Sequence, residues 1–351
     1  MNHLKPKEKK KLSKPIKVVL IILLILFILA TIACGLFEYS FSKMNVMTAQ
    51  EETAATSSET NKPKPVKKSE EDKLRESLSK EAELEYSTKD ITNILLVGVD
   101  NDNIGGIDKR GDADGLILLS INNKTKKIAI TSILREVYLD VEPEGNEATL
   151  VYHYYGLDTL IKGLEDTLNI KIDNYMLFNY LDIIDIIDKL GGVDIDIYNG
   201  EVNMLNQKIG QMNFQLLNYD SDADYLPENA EGKILLNGKQ TAAYMRIRLS
   251  DQSNNDFGRT QRIRNVIMAM KDKALSMSLT DMYSFANETL PNITTDLSRG
   301  RVLSLLVKAA DYRSYAIVTG RIPVDGSYES KNYAQYIDLD TNRQYLLDQI
   351  S

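Results

Sequence analysis

Five arginines, Arg246, Arg248, Arg259, Arg262 and Arg264, fall within nineteen residues, with Asp256-Phe257-Gly258 between them. A guanidinium fork matches two oxygens of a phosphate at once, which a lysine ammonium does not. Arg259 and Arg262 are three apart and share one face of a helix, with Arg259 at its start. A helix N-terminus adds unpaired N–H groups and the positive end of a dipole, both favourable to an anion. An arginine-rich helix can also be a solvated, salt-bridged face. Asp256-Phe257-Gly258 sets a close approach just before this helix and tips the reading toward a phosphate site.

Two aspartates frame the first strands. Asp100 follows the apolar run Ile94–Val97 and Gly98, and Asp114 directly precedes Leu116–Ile121. If those strands are antiparallel neighbours, both carboxylates lie at one end of the sheet. Magnesium takes one or two carboxylates and completes its shell with water and substrate phosphates, so this pair suits it. Aspartates also flank strands simply as turn residues. Arg135, two residues past the strand Lys127–Ile133, is either a third phosphate contact or an ordinary strand-end arginine.

Other chemistries are restricted by composition. The chain has one cysteine, Cys34, and two histidines, His3 and His153. A multi-histidine zinc site outside the N-terminal segment is excluded, and a Ser-His-Asp triad there would have to use His153. Catalysis must rest on carboxylates, arginines, tyrosines and a hard cation.

The elements that hold these residues alternate between strand and helix. Ile94–Val97, Leu116–Ile121 and Lys127–Ile133 read as buried strands, the last two joined by the turn Asn122-Asn123-Lys124-Thr125. Leu157–Leu168 and Ile183–Leu190 have helical spacing, the second stopped by Gly191-Gly192. Tyr175–Asn179 and Val193–Ile197 read as strands, Asn199–Leu235 as an irregular excursion, and Gly238–Arg248 and Arg259–Met277 as helices. A helix over Val302–Ala310, a strand over Tyr315–Val318, the turn Val324-Asp325-Gly326 and a terminal helix complete the chain. Interleaved strands and helices predict an α/β fold, a single domain with a central mixed β-sheet flanked by helices.

Val18–Phe37 carries no charge, and about 20 such residues cross a hydrocarbon core of roughly 30 Å. Seven lysines and one glutamate precede it, so residues 1–17 carry +6, whereas the rest of the chain, with 35 basic and 49 acidic residues, carries −14. Lysine stays on the cytoplasmic side. The expected layout is a cytoplasmic basic tail (1–17), one transmembrane helix (18–37), an extracellular stalk (38–90) and the folded domain outside (91–351). A cleaved signal peptide would have a shorter apolar core, and a lipidated Cys34 would want a larger residue than Thr31. The stalk is rich in Thr, Ser, Glu and Lys and too polar to fold alone, save for a short amphipathic helix over Glu70–Tyr86. An acidic external domain makes nucleic acid a poor partner.

Six segments in order resemble the LytR-CpsA-Psr family. They are Asn93–Asp100, Asp114–Asn122, Ser132–Arg135, Leu190–Asp194, Leu236–Arg248 and Asp256–Arg259, with a matching tail near Val324–Tyr328. The resemblance implies a cell-membrane phosphotransferase of Gram-positive bacteria. Such an enzyme moves an anionic glycopolymer, wall teichoic acid or capsule-type polysaccharide, from an undecaprenyl-pyrophosphate carrier to peptidoglycan. It implies that Asp100 and Asp114 bind Mg²⁺, and that Arg135, Arg246, Arg248, Arg259 and Arg262 clamp the pyrophosphate. Asp256 is implied as the base or a clamp-orienting carboxylate, with Arg246 and Arg248 beside it in the catalytic group. An apolar tunnel for the prenyl chain is implied too, for which the Ile and Leu residues of 157–197 are candidates, though core packing explains them equally well.

Several positions depart from the family pattern. Asp112-Ala113-Asp114 replaces Arg-Ser-Asp, with Arg110 upstream. Arg135-Glu136 replaces Arg-Asp, Thr149–Tyr152 replaces a Lys-Ile-Asn-His-like stretch, and Ile263 stands where a glutamine is expected. These departures give the alternative its basis: a regulatory envelope protein that binds prenyl pyrophosphate without turnover. A structural wall-spanning protein is a third reading, resting on the stalk alone.

Overall fold

The computed structural model describes residues 90–100, 111–214, 224–248, 255–277, 293–298 and 311–351, with residues 45–46 and scattered positions between 281 and 308. In chain order the strands and helices are β1 (Asn45–Val46), β2 (Ile91–Asp100), β3 (Asp112–Asn122), β4 (Lys127–Ile133), β5 (Tyr138–Leu139), β6 (Asn146–Glu147), α1 (Ala148–Tyr155), α2 (Leu157–Leu168), β7 (Asn174–Phe178) and α3 (Tyr180–Lys189). They continue with β8 (Val193–Ile197), α4 (Asn199–Met212), β9 (Gly232–Leu236), α5 (Gly238–Met245), α6 (Asn255–Ser276), β10 (Thr294–Thr295), β11 (Ala316–Ile322), β12 (Tyr328–Lys331), β13 (Ala334–Ile337) and α7 (Leu339–Ile350).

Seven strands form one mixed sheet in the order β1-β10-β7-β2-β3-β4-β11. The meander β2-β3-β4 is antiparallel, while β7 runs parallel to β2 and β11 parallel to β4. Alternation along the strands supplies two apolar faces, as a sheet covered on both sides requires. Leu95, Val97, Leu116, Leu118 and Ile133 bury against residues of α1, α2 and α7. Ile117 and Ile130 face the other way and meet Ile263 of α6. Fully burying such a side chain contributes roughly 1.5–3 kcal/mol. The α/β fold with a central mixed sheet between helices is therefore present.

A second apolar cluster lies beyond the sheet. The β8-β9 pair carries Val193, Ile195 and Leu236 into contact with Val202, Leu205 and Ile209 of α4 and with Ala242 and Ala243 of α5. This corrects the irregular excursion expected over Asn199–Leu235: α4 and β9 occupy its two ends. The helical spacing of Val202, Leu205, Ile209 and Met212, all buried, was the signal hidden among polar neighbours.

Four helix ends set the positions of site residues. Asn179 caps α3 and Asn237 caps α5, each in a reciprocal box with the residue three on, Asp182 and Gln240. Helix α5 stops at Met245 rather than running to Arg248, which leaves Arg246 at its C-cap and Arg248 beyond. Helix α6 begins at Asn255, so Arg259 lies a full turn inside it rather than at its start. The strand expected over Tyr315–Val318 runs longer, from Ala316 to Ile322. No helix among the described residues is long and apolar enough to cross a membrane. The 18–37 run, the helix expected over Glu70–Tyr86, Arg110 and most of Val302–Ala310 lie outside the described residues.

Candidate functional site

The site grows from a β-bulge. Gly98 pairs with Gly115 and Val99 with Ala113, so Asp114 has no partner across the ladder. Ala113 and Leu116 both bury in the core under α1 and α2, three residues apart instead of two. The extra residue turns Asp114 and Gly115 together to the opposite face, as bulges do when they re-aim a side chain. Asp100 ends β2 opposite Asp112, so the two expected carboxylates do share one end of the sheet.

Three chain segments converge on this point. Arg135, just past β4, holds Asp114 at 2.5 Å through Nη1 and Glu136 at 2.8 Å through Nε. Arg259, from α6, reaches the other Asp114 oxygen at 3.2 Å and also donates to the Asp114 backbone carbonyl. Asp256, in the first turn of α6, is approached by three guanidiniums: Arg248 at 3.3 Å, Arg135 at 3.6 Å and Arg259 at 3.8 Å. Burial alone would raise the Asp114 carboxyl, but Arg259 and Arg135 outweigh it and hold it below its ordinary value. Arg135 is likewise opposed by burial, yet Asp114, Glu136 and Asp256 drive its guanidinium more firmly into the charged form.

A polar cavity of about 140 Å³ opens among Asp100, Asp114, Tyr180, Lys208, Arg246, Arg248 and Arg259. Arg246 lies over the Tyr180 ring at 4.8 Å from its centroid, within cation–π range. Burial, and then Asp114 and Asp100, raise the Tyr180 hydroxyl above its ordinary value, so it is a neutral donor here. Burial together with Arg246 and Arg248 lowers the Lys208 ammonium, as expected for a cation crowded by cations before an anion arrives.

Next to the polar cavity lies an apolar one of about 220 Å³, and both are lined by Asp114, Tyr180 and Arg259. Its walls include Leu96 and Ile117 from the sheet, Ile183 from α3 and Ile263, Val266 and Met270 from α6. The facing pair Gly98 and Gly115 puts no side chain into it. Of the tunnel candidates in 157–197, Ile183 and Ile186 line this cavity, beside Phe178, whereas the leucines of α2 belong to the core. Ile263, the departure from an expected glutamine, is an apolar wall residue.

Arg262 is set apart from the other predicted clamp residues. Its guanidinium is buried against Glu201 of α4, at 2.5 Å and 3.1 Å, and donates to the Ile247 carbonyl. Arg135 reaches the cluster through Asp114 and Asp256. Sequence reasoning missed Tyr180 and Lys208. Tyr180 could have been found as the first residue after a capping asparagine, but Lys208 lay in the stretch read as irregular. Among the described residues no group of three or more His, Cys, Asp or Glu side chains is placed to hold a metal ion. His153 pairs with Asp112 at 2.8 Å at the surface beside the site.

The site is thus that of a mixed-sheet α/β protein in which a guanidinium-lined cavity and an apolar cavity share three lining residues. The LytR_cpsA_psr family model matches residues 44–349, and the chain belongs to that family. Two relatives are proteins named polyisoprenyl-teichoic acid–peptidoglycan teichoic acid transferase TagU. That of Enterococcus faecalis is 27% identical over 239 residues, covering 67% of this chain and 70% of the relative. That of Oceanobacillus iheyensis is 31% identical, also over 239 residues, covering 65% and 66%. A solved structure of the LytR-CPS2A-psr family protein YwtF (TagT) with bound octaprenyl pyrophosphate lipid has the same fold. Its TM-score is 0.52 at 21% identity, over 75% of this chain and 91% of that one.

Proposed function

We propose that this chain is a phosphotransferase that moves an anionic glycopolymer, wall teichoic acid or capsule-type polysaccharide, from an undecaprenyl-pyrophosphate carrier to peptidoglycan. The observation that carries the reading is the sharing of Asp114, Tyr180 and Arg259 by the polar and apolar cavities. A prenyl pyrophosphate has the same two-part chemistry: a charged head joined directly to an apolar chain. Arg246, Arg248 and Arg259 would take the pyrophosphate, with Lys208 and Tyr180 as further donors and Arg135 holding Asp114 and Asp256 in place. Asp256 would orient the clamp or accept a proton. Phosphoryl transfer depends mainly on positioning and charge neutralisation, so no nucleophilic side chain is required.

Mg²⁺ fits the donor set in a limited way. Asp100 and Asp114 line one cavity, which gives two carboxylates, and the remaining positions would fall to phosphate oxygens and water. Both Asp114 oxygens are engaged by arginines, so the cation would compete for them until substrate draws the guanidiniums away. When bound, the ion would neutralise charge on the transferred phosphate. The same engagement favours a second reading, a protein that binds the lipid without turning it over.

The membrane layout belongs to the proposal: residues 1–17 cytoplasmic, 18–37 spanning, 38–90 a stalk and 91–351 outside, supported by the charge asymmetry around an uncharged run. The test is the full-length protein in detergent with prenyl-pyrophosphate-linked saccharide, Mg²⁺ and peptidoglycan fragments. Release of prenyl phosphate with saccharide joined to the acceptor is expected, and lost in Arg246→Ala and Arg259→Ala. Lipid binding with no release would favour the second reading, and no binding would defeat both.

A further inference from the structure

Strands β12 and β13 form a hairpin closed by the pair Lys331 and Ala334, with only Asn332 and Tyr333 between them. Both turn residues have positive φ, 50° and 72°. That is the pattern of a type I′ hairpin turn, which takes asparagine readily at its first position and glycine at its second. A tyrosine at the second position is strained, because its Cβ crowds the backbone. Packing does not offset the strain, since Tyr333 is 91% exposed. Strain of this kind gathers where a displayed side chain has a use. The hairpin is also anchored beside the candidate site. The Gln335 N–H donates to the Glu136 carbonyl, and Gln335 forms a parallel bridge with Val137. This ties β13 to the turn whose Arg135 holds Asp114, a wall of the polar cavity. Tyr336 stacks on Tyr138, with centroids 4.5 Å apart and planes 21° from parallel, and the Lys331 ammonium lies 5.8 Å from the Tyr336 centroid. Gly145 leaves space at the Tyr138 hydroxyl that a Cβ would fill.

We propose that this hairpin is a saccharide platform, on which Tyr333 at the turn and the part-exposed Tyr336 on the strand receive the sugar backbone of the acceptor. The proposal rests on the transferase reading above, which requires a peptidoglycan acceptor, and gives that acceptor a place. A sugar ring carries faces of C–H groups and a rim of hydroxyls. Its face packs on an aromatic ring through dispersion and weak C–H contacts, and its rim is met by amide, hydroxyl and carboxylate groups. The hairpin carries both kinds of group: Tyr333 follows Asn332, and Glu329, Ser330 and Gln335 lie along its strands.

Charge selects among occupants. The chain leaving Tyr138 exposes Asp140, Glu142 and Glu144, and Glu329 pairs with Tyr336 across the hairpin. The hairpin's own cation, Lys331, is already joined to Glu329 at 2.9 Å. These carboxylates repel an anionic polymer or an anionic lipid surface, whereas an uncharged sugar backbone is not repelled. The two saccharides of the reaction are thereby separated. The pyrophosphate end of the anionic donor goes to the arginine-lined cavity, and the acceptor backbone goes to the tyrosines beside it.

The experiment measures binding of the full-length protein in detergent to insoluble peptidoglycan stripped of teichoic acid. Soluble teichoic acid, vesicles rich in anionic lipid and prenyl pyrophosphate are titrated separately. The parent is expected to bind the stripped peptidoglycan. Tyr333→Gly should weaken that binding about threefold to tenfold, the size of one aromatic contact, with affinity for prenyl pyrophosphate kept. Its melting temperature should equal or exceed the parent's, because glycine suits the positive φ, so a loss of binding is not a loss of fold. Tyr333→Phe should bind like the parent, since the ring makes the contact. In turnover, Tyr333→Gly should raise KM for the acceptor by the same factor and leave KM for the lipid as it was. A parent with no affinity for stripped peptidoglycan, or a Tyr333→Gly protein that binds it as well as the parent does, overturns the platform. A loss seen instead with teichoic acid or with vesicles also overturns it, and makes Tyr333 a contact for an anionic polymer or a lipid surface. A parent that binds peptidoglycan through Tyr333 but never releases prenyl phosphate defeats the transferase reading and leaves the platform standing.

Discussion

Arg262 and Glu201 are joined in a buried ion pair, 2.5 Å at its shortest, that ties α6 to α4 behind the polar cavity. Both side chains are less than a tenth exposed, and the Tyr244 ring lies 5.9 Å from the Arg262 guanidinium carbon. Its role is therefore to fix the helix that presents Arg259 to the pocket. Removing one partner of such a pair leaves the other charged and unpaired inside the protein, at a cost of about 3–5 kcal/mol. Arg262→Ala and Glu201→Ala should each lower the melting temperature of the full-length protein by many degrees. The double replacement Arg262→Met with Glu201→Leu should cost less than either alone. If Arg262→Ala left the melting curve unchanged and abolished only lipid binding, Arg262 would be a phosphate contact instead.

Arg246 and Arg259 should fail in different ways. Arg246 lines the polar cavity alone, whereas Arg259 lines both and also holds Asp114. Loss of a donor aimed at developing charge typically costs about 10²–10³ in kcat. Arg246→Ala should show that loss with a modest change in KM for the lipid. Arg259→Ala should lose kcat and raise KM together, because its side chain lines both cavities. Steady-state kinetics on both variants checks this, and identical effects would contradict the division of labour.

Much of this arrangement was legible in the sequence because it depends on local pattern. The apolar runs marked β2, β3 and β4, and the turn between β3 and β4 marked a hairpin; that β2 pairs antiparallel with β3, and so brings Asp100 and Asp114 to one sheet end, stood in the sequence only as a condition, which the structure meets. What could not be read was long-range. Whether an arginine three residues beyond Arg259 faces phosphate or a buried glutamate depends on where α4 lies, and α4 was hidden by its polar residues. The bulge at Asp114 was equally invisible, since it shows only in the register against β2. Lys208 and Tyr180 reach the site by the packing of α3, α4 and α5, which no local spacing encodes.

The apolar cavity should measure the length of the lipid. Ile183 and Val266 line it from opposite helices, and a tryptophan at either position would occupy much of its volume of about 220 Å³. In Ile183→Trp or Val266→Trp, affinity for a long-chain prenyl pyrophosphate should fall at least tenfold, about 1.4 kcal/mol. Affinity for a short-chain analogue, whose tail ends before the obstruction, should be nearly kept. Calorimetric titration with the two lipids distinguishes them, and an equal loss for both would mean that the substitution distorts the head-group site.

Stability should respond to pH through Glu136 in a direction opposite to that of most carboxylates. Its carboxyl is raised from an ordinary 4.5 to about 7, chiefly by burial and by Asp256. Between those values the folded chain keeps a proton that the unfolded chain has lost, so stability falls as pH rises through this window. The contribution is complete below about 4.5 and gone above about 7, and at one pKa unit per 1.36 kcal/mol it is on the order of 3 kcal/mol. Asp114 has the opposite sign: its lowered carboxyl stabilises the fold at neutral pH and gives that up in acid. Asp182, raised to about 6 mainly by burial, slopes the same way as Glu136 but sits at the start of α3. Melting temperatures of the parent and Glu136→Gln from pH 4.5 to 7.5 separate these contributions. The variant should lose much of the decline and keep the part that Asp182 and the other raised carboxyls, Glu147, Asp158, Glu165 and Asp296, supply, whereas parallel curves would show that Glu136 is ionised throughout.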